Sequence, residues 1–258
     1  STLRHTLFPY TTLFRSAAFG VFVSGSTAYV AEKGLRVIDV GDPTNPIEVG
    51  YCDTGTSWDV AVSGSTAYVA AGYNGLRVVD VSDPANPTEV GRHYTSNAHS
   101  VFVSGNNAYV VDWLEGLRIL DVSDLTNPIE VGYYDTGDAE GVYISSSTAY
   151  VAGGLEGLRV LDVSDPTNPI EVGFYTPVGA RDVYVLGGIA YVASVDGLTI
   201  LRYTGGRSVY TISGHIQDSR NNPIAGVTVS AGTNGSAATN TNGAYTITGL
   251  VTGTYILT

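Results

Sequence analysis

Residues 97–137 read NAHSVFVSGNNAYVVDWLEGLRILDVSDLTNPIEVGYYDTG, and close copies of this stretch stand before and after it. The Leu of each Gly-Leu pair falls at Leu35, Leu76, Leu117, Leu158 and Leu198, which gives spacings of 41, 41, 41 and 40 residues. The copies run 17–55, 56–96, 97–137, 138–179 and a shortened 180–206. Each complete copy holds four short runs of alternating or β-branched residues; in the second these are Asp59–Ser63, Thr66–Ala71, Leu76–Val81 and Thr88–Tyr94. Ser-Gly-Ser turns, a variable loop and a Ser-Asp-Pro-Ala-Asn-Pro turn separate them, and each breaks a strand for a local steric reason. Four antiparallel strands in about 40 residues make the blade of a β-propeller. One blade cannot bury both faces of its sheet, but blades packed side by side can. The last copy supplies three strands, Arg181–Leu186, Ile189–Ser194 and Leu198–Tyr203, before Thr204-Gly205-Gly206 leaves the period. The fold class is therefore all-β: a propeller of about five four-stranded blades, expected to be incomplete, followed by a small β-sandwich in 207–258.

Composition agrees with an all-β chain. The 258 residues include one Lys and no Met, against 32 Gly and 18 Tyr. The net charge of −12 is uneven: residues 17–206 hold 8 Lys/Arg against 23 Asp/Glu, a net of −15. Such an acidic region repels phosphate backbones, so neither nucleic acid nor an anionic membrane surface is an expected partner. No apolar run approaches about 18 residues, so no membrane insertion is expected. A single cysteine, Cys52, rules out an internal disulfide framework, and it occupies the position of Tyr134 and Tyr175 in sister copies.

Thr6–Ser16, TLFPYTTLFRS, matches at every position the codon-by-codon translation of a common sequencing-adapter oligonucleotide. Residues 1–16 are read as an adapter-derived artefact and set aside from fold reasoning. The far end, Ile256-Leu257-Thr258, stops in a strand pattern, so both ends read as cut. On this reading a signal peptide and upstream blades, or at least a ring-closing strand, are missing, with Thr11–Ser16 available as a surrogate strand.

The heptads GLRVIDV, GLRVVDV, GLRILDV and GLRVLDV, preceded by AYVA or AYVV and followed by DPTNP-like turns, resemble LVIVD-type repeats. The resemblance covers 17–206 and implies a bacterial, extracytoplasmic propeller with no agreed activity. From Arg207 the period is lost. Ser213-Gly214, Asp218, the run Asn222-Pro223-Ile224-Ala225-Gly226-Val227, then Asn242-Gly243-Ala244-Tyr245 and Gly249–Tyr255 resemble the carboxypeptidase regulatory-like family. That resemblance implies a prealbumin-like sandwich, related to carbohydrate-binding folds and non-catalytic, lacking its last strand or strands.

Internal copies allow variation to be read within one chain. The turns joining strands one to two and three to four hardly change. The loops entering strand one and joining strands two to three change fully, and in a blade these share one face. Two residues before the leading Val of strand one stand Phe19, Trp58, His99, Glu140 and Arg181. The second loop carries Glu32-Lys33, Tyr73-Asn74, Asp112-Trp113-Leu114-Glu115, Leu155-Glu156 and Val195-Asp196. Phe19, Trp58, His99, Glu140, Arg181, Tyr73, Asp112 and Trp113 are accordingly the candidate ligand- or partner-binding residues. Drift in unrestrained solvent loops would produce the same variation, and both readings stand at this point.

The paired acids Asp39/Asp42, Asp80/Asp83, Asp121/Asp124 and Asp162/Asp165 read as turn caps, because calcium needs six to eight oxygens around one point. Arg36, Arg77, Arg118 and Arg159, facing Glu48, Glu89, Glu130 and Glu171, read as a structural charge ladder. Tyr29, Tyr68, Tyr109, Tyr150 and Tyr191 read as packing residues of strand two. There is no phosphate-cradling glycine loop, HExxH or G-x-S-x-G elbow, so no catalytic residue, metal or cofactor is expected. Taken with the extracytoplasmic location that the resemblance implies, the expected function is a non-catalytic extracellular or cell-surface scaffold that binds a protein or glycan through one propeller face. Two alternatives remain: an accessory carbohydrate-binding region of a larger secreted enzyme, and a propeller hydrolase or lyase using His99 with Glu140.

Overall fold

The structure is a computed structural model that describes residues 17–176, 179–202, 210–231 and 235–250. It divides into two compact units, with the division at 203/204. The surrogate closing strand expected at Thr11–Ser16 lies outside the described residues.

Five antiparallel sheets make the first unit, one per sequence copy. The first holds β1 (Gly20–Ser24), β2 (Thr27–Asp39) and β3 (Ile47–Thr56). The second holds β4 (Asp59–Ser63), β5 (Thr66–Ala70), β6 (Leu76–Asp80) and β7 (Thr88–His93), within a residue of the boundaries expected. The third holds β8 (Ala98–Ser104), β9 (Asn107–Asp112), β10 (Gly116–Asp121) and β11 (Ile129–Tyr134). The fourth holds β12 (Gly141–Ser145), β13 (Thr148–Ala152), β14 (Leu158–Asp162) and β15 (Ile170–Tyr175). The fifth has three strands, β16 (Ala180–Leu186), β17 (Ile189–Ser194) and β18 (Gly197–Arg202), as its shortened copy predicts. In the first sheet β2 pairs with β1 over Thr27–Ala31 and with β3 over Lys33–Asp39, so this one element does the work of strands two and three elsewhere.

Within each sheet the strands follow chain order, and the first strands β1, β4, β8, β12 and β16 adjoin one another in sequence. The alternation of side chains sends each central strand into two cores at once. On β5, Ala67 and Val69 pack with Tyr29, Leu35 and Val37 of the first sheet, while Tyr68 and Ala70 pack with Val101, Val110 and Leu120 of the third. The junction between the third and fourth sheets repeats this with Tyr109, Leu117 and Ile119 against Val142, Val151 and Leu161. Tyr29, Tyr68, Tyr109 and Tyr150 are buried packing residues, as expected, whereas Tyr191 in the three-stranded fifth sheet is only partly covered. This is a β-propeller built from blades that share their cores.

The polar repeats fix the turns and the outer strand pair within each blade. Asp39, Asp80, Asp121 and Asp162 each accept, through Oδ1, the backbone N–H two residues on, at 2.8–3.0 Å. Asp42, Asp83, Asp124 and Asp165 do the same inside the Asp-Pro turns. The charge ladder forms in all four complete copies, with Arg36–Glu48 and Arg77–Glu89 at 2.9 Å, Arg118–Glu130 at 3.2 Å and Arg159–Glu171 at 3.3 Å. Tyr51, Tyr94, Tyr133 and Phe174 cover the four guanidinium groups at 5.1–5.5 Å.

The outer strands carry a junction that the sequence pattern does not announce. A bulge interrupts the pairing of strands three and four at the same point in each complete blade, beside Gly50, Gly91, Gly132 and Gly173. At three of these glycines the Asp-Pro turn of the next blade presses its backbone inward. A Cβ on Gly50 would stand 2.1 Å from the Pro84 carbonyl oxygen, on Gly91 1.9 Å from that of Leu125, and on Gly132 2.1 Å from that of Pro166. Only a residue without a side chain allows this approach.

The second unit pairs β19 (Tyr210–His215) with β22 (Ala244–Leu250) and β20 (Thr228–Ser230) with β21 (Ser236–Ala238). Ile212, Tyr245 and Ile247 of one pair meet Val229 and Ala237 of the other in a small core, the arrangement of a sandwich. Among the described residues there is no helix long and apolar enough to cross a membrane.

The glycine junction is directly testable. Gly91→Ala and Gly132→Ala are expected to lose about 1–3 kcal/mol of stability or more, because the clash is with backbone that cannot turn away. Thermal and denaturant unfolding of each variant against the parent measures the loss.

Candidate functional site

The site is assembled from the two variable loops of neighbouring blades. In three blades the chain enters strand one with a backbone N–H bonded to a carbonyl of the neighbouring strand: Phe19 to Ala31, Trp58 to Ala70 and Glu140 to Ala152, at 2.8–3.0 Å. The repeat puts Phe19, Trp58, His99, Glu140 and Arg181 at equivalent positions, two residues before the leading Val of strand one. Four of the predicted residues then meet as a continuous aromatic stack. Phe19 and Trp58 have ring centroids 4.5 Å apart, Trp58 and His99 4.8 Å, and His99 and Trp113 5.0 Å. Such pairs add roughly 0.5–1.5 kcal/mol each beyond their buried area.

Trp113 joins the stack because of what lies beneath it. Asp112 is 0 % exposed, and its carboxylate accepts the backbone N–H of Asn97 through Oδ2 and that of Leu114 through Oδ1, the latter at 2.9 Å. The Trp113 N–H in turn donates to the Asn97 carbonyl at 2.9 Å. Asp112, expected among the ligand-binding groups, is instead a positioning residue: two buried N–H groups claim its oxygens and leave none facing outward. Trp58 is fixed from the other side. Its Nε1 lies 3.1 Å from where a Cβ on Gly72 would stand, and Gly72 has a φ of 53°. Gly72 and Gly154 occupy the position that Trp113 takes in the third blade.

Between the second and third blades these loops enclose an open groove of about 390 Å³ lined by Thr56, Trp58, Tyr73, Asn74, Asn97 and Trp113, with backbone from Ala71 and Gly72. Tyr73 is mostly exposed at its rim and Trp113 is 42 % exposed. Glu140 and Arg181 keep their places in the next two blades and carry no ring that could extend the stack. Among the described residues, no hydrogen bond or ion pair joins Glu140 to His99, and the His99 Nε2 is buried without a hydrogen-bond partner. The geometry thus supplies a lining for a ligand, and no acid–base pair.

Below the stack the first strands carry a second ring of groups. Asp59 accepts the Ser100 hydroxyl at 2.9 Å, the Val101 N–H at 3.1 Å and the Val60 N–H at 2.8 Å. Burial raises its carboxyl above the ordinary aspartate range; those hydrogen bonds oppose the rise and the Asp182 carboxylate adds to it. Asp182 is open to water on one side, yet the protein packed around it also raises its carboxyl. Phe102, Tyr143 and Tyr184 stack along the same strands at 5.1 Å spacings. No group of three or more His, Cys, Asp or Glu side chains among the described residues could hold a metal ion.

Sequence reading missed Asn97 and the Phe102–Tyr143–Tyr184 stack, although the copies carry a signal for both. The position of Asn97 reads Ala17, Thr56, Asn97, Asp138 and Gly179 across the blades, and that of Phe102 reads Phe22, Ala61, Phe102, Tyr143 and Tyr184. The first varies as fully as the positions that were singled out, and the second alternates among Phe, Ala and Tyr.

Known proteins identify the class. The chain is a repeat propeller followed by a small β domain, and solved propeller-like structures resemble it at low identity. BamB from Moraxella catarrhalis superposes with a TM-score of 0.56 at 14 % identity, covering 91 % of this chain and 84 % of that one. A chain of the nidogen/laminin complex gives 0.54 at 15 %, covering 70 % and 73 %. The computationally designed Ika8 protein gives 0.51 at 9 %, covering 73 % and 72 %. These likenesses concern the fold alone. The LVIVD repeat model matches residues 17–54, 55–95, 96–136, 137–177 and 179–201, and the chain belongs to the LVIVD repeat family. Residues 211–258 match the carboxypeptidase regulatory-like domain. Both are repeat or regulatory-like families rather than catalytic ones. No curated protein matches the chain.

His99 offers a check on the stack. Burial lowers its imidazole below the ordinary value near 6.5, with Asp112 pulling weakly the other way. Because the folded pKa is depressed, the unfolded chain binds more protons between that value and about 6.5, and stability falls as pH falls through this window. The His99 ring resonances are expected to titrate with a midpoint below 6.5 by NMR, and His99→Gln is expected to flatten the pH dependence of Tm over the same interval.

Proposed function

We propose that this protein is a non-catalytic binding scaffold that works outside the cytoplasm, at the bacterial cell surface or secreted, and engages a protein or glycan through the variable-loop face of its propeller. The observation that carries the reading is the stack Phe19–Trp58–His99–Trp113, whose members come from three blades and stand beside the groove. Variable loops on a rigid repeated frame are where repeat proteins place recognition. Large aromatic side chains half-open to water are the groups that dominate binding energy when covered. The families matched and the unpaired His99 and Glu140 weigh against the hydrolase or lyase alternative. The sandwich unit is read as a non-catalytic appendage of the same extracellular protein.

The test is retention on a mixed array of glycans and secreted proteins by the intact chain and by Trp58→Ala/Trp113→Ala. Loss of a hot-spot aromatic costs about 2 kcal/mol or more, or roughly 30-fold in affinity, so the double variant is expected to lose its ligands. Ligands retained equally by both proteins would move recognition off this face.

A further inference from the structure

We propose that the groove between the second and third blades binds an uncharged oligosaccharide, with Trp58 and Trp113 against the sugar faces and the Asn97 amide against their hydroxyls. The proposal rests on the reading that the variable-loop face is the binding face, and it names the ligand class.

Asn97 is the first reason. It is 5 % exposed and lines the groove. Its backbone is fully occupied, the N–H by Asp112 and the carbonyl by the Trp113 N–H. Its side-chain amide makes no hydrogen bond among the described residues, and its Oδ1 lies 3.5 Å from the point a Gly72 Cβ would occupy. Neither amide atom is shut away from water, so the group faces the groove with its hydrogen bonds open to a ligand. It asks for a ligand that offers a donor and an acceptor side by side, as vicinal hydroxyls do.

Charge is the second. The six side chains that line the groove, Thr56, Trp58, Tyr73, Asn74, Asn97 and Trp113, are all uncharged. Asp112 lies behind them with its oxygens used, so a cationic ligand meets no open carboxylate there. An anionic ligand meets no cation and faces a repeat region of net −15.

The backbone is the third. Extended peptides are recognised largely through main-chain hydrogen bonds. Here Gly72 and Ala98 exchange both of theirs, Asn74 donates to Ala71, Gly75 to Gly72 and Trp113 to Asn97. The Asn74 Nδ2 is likewise spent on the Thr54 carbonyl at 3.1 Å. What the groove offers for recognition is flat rings edged by side-chain amide and hydroxyl groups of Asn97, Thr56 and Tyr73, which suits a ligand with apolar ring faces and a hydroxyl edge.

Trp58 and Trp113 are the only tryptophans in the chain and both line the groove, so intrinsic fluorescence reports on this site alone. The experiment titrates the full chain with cello-, xylo-, malto- and chito-hexaose, with an oligogalacturonate and with a proline-rich peptide, following tryptophan emission. Calorimetry then compares Asn97→Ala, Asn97→Ser and Trp113→Ala, each first shown by a cooperative thermal transition to be folded at the titration temperature. At least one neutral hexaose is expected to saturate, and both Asn97 variants to weaken it about tenfold, the worth of one buried hydrogen bond. Trp113→Ala is expected to weaken it tenfold or more. Saturation only by the peptide, by a protein or by the anionic sugar would overturn the sugar assignment and leave the binding face intact. Equal sugar affinity in the parent and the variants would place sugar elsewhere and also overturn it. Silence of both tryptophans toward every ligand class would sink the proposal and the binding-face reading together.

Discussion

The fold depends on one constraint: sheets that are apolar on both faces can be satisfied only by other sheets of the same kind. Thr66–Ala70 is buried at every position because its alternate side chains enter two different cores. The unit of stability is therefore the junction between blades. The end sheets make the point by contrast. Val21 of the first sheet is 65 % exposed where Val60 is 3 %, and Leu198 of the fifth is 66 % exposed where Leu76 is 0 %. The residues are equivalent; what differs is whether a neighbour covers them.

Close backbone approach at the outer strands sets those junctions, and polar groups set the shape of each blade. The bulge beside each outer-strand glycine and the carbonyl that presses on it recur with the period, as do the Asp turn caps and the Arg–Glu ladder. The ladder is half-buried and roofed by aromatic rings, so it is screened less than a surface pair. Glu115 and Glu156 add a second carboxylate to Arg118 and Arg159, while in the second blade Asn74 stands at that place and lines the groove instead. The frame and the site thus trade residues at a single loop position.

Much of this was legible in the sequence because it repeats. Strand type follows from period-two alternation, strand ends from Gly, Pro and Asp, and blade number from the Gly-Leu spacing. In the second copy Thr88–Tyr94 shortens only to Thr88–His93. Within the site, Phe19, Trp58, His99 and Trp113 were legible as a varying set, and the copies showed which face they share. The inward turn of Asp112 was not. A loop carboxylate goes where unpaired N–H groups demand it, and that demand at Asn97 and Leu114 exists only once β8 and β9 have paired. Glu140 and Arg181 stay out of the stack for a plainer reason: neither carries a ring, and Gly154 supplies none from the second loop of the fourth blade.

The stack also separates two kinds of inheritance within one chain. Gly50, Gly91 and Gly132 meet the next turn in the same way, so any copy can be duplicated, lost or exchanged and still find its neighbour. The row Phe19–Trp58–His99–Trp113 draws on three copies in a fixed order. Shuffling modules would preserve the frame and scatter the row. The scaffold can therefore grow by copying, whereas its recognition surface has to be refined in place, with three copies changing in concert.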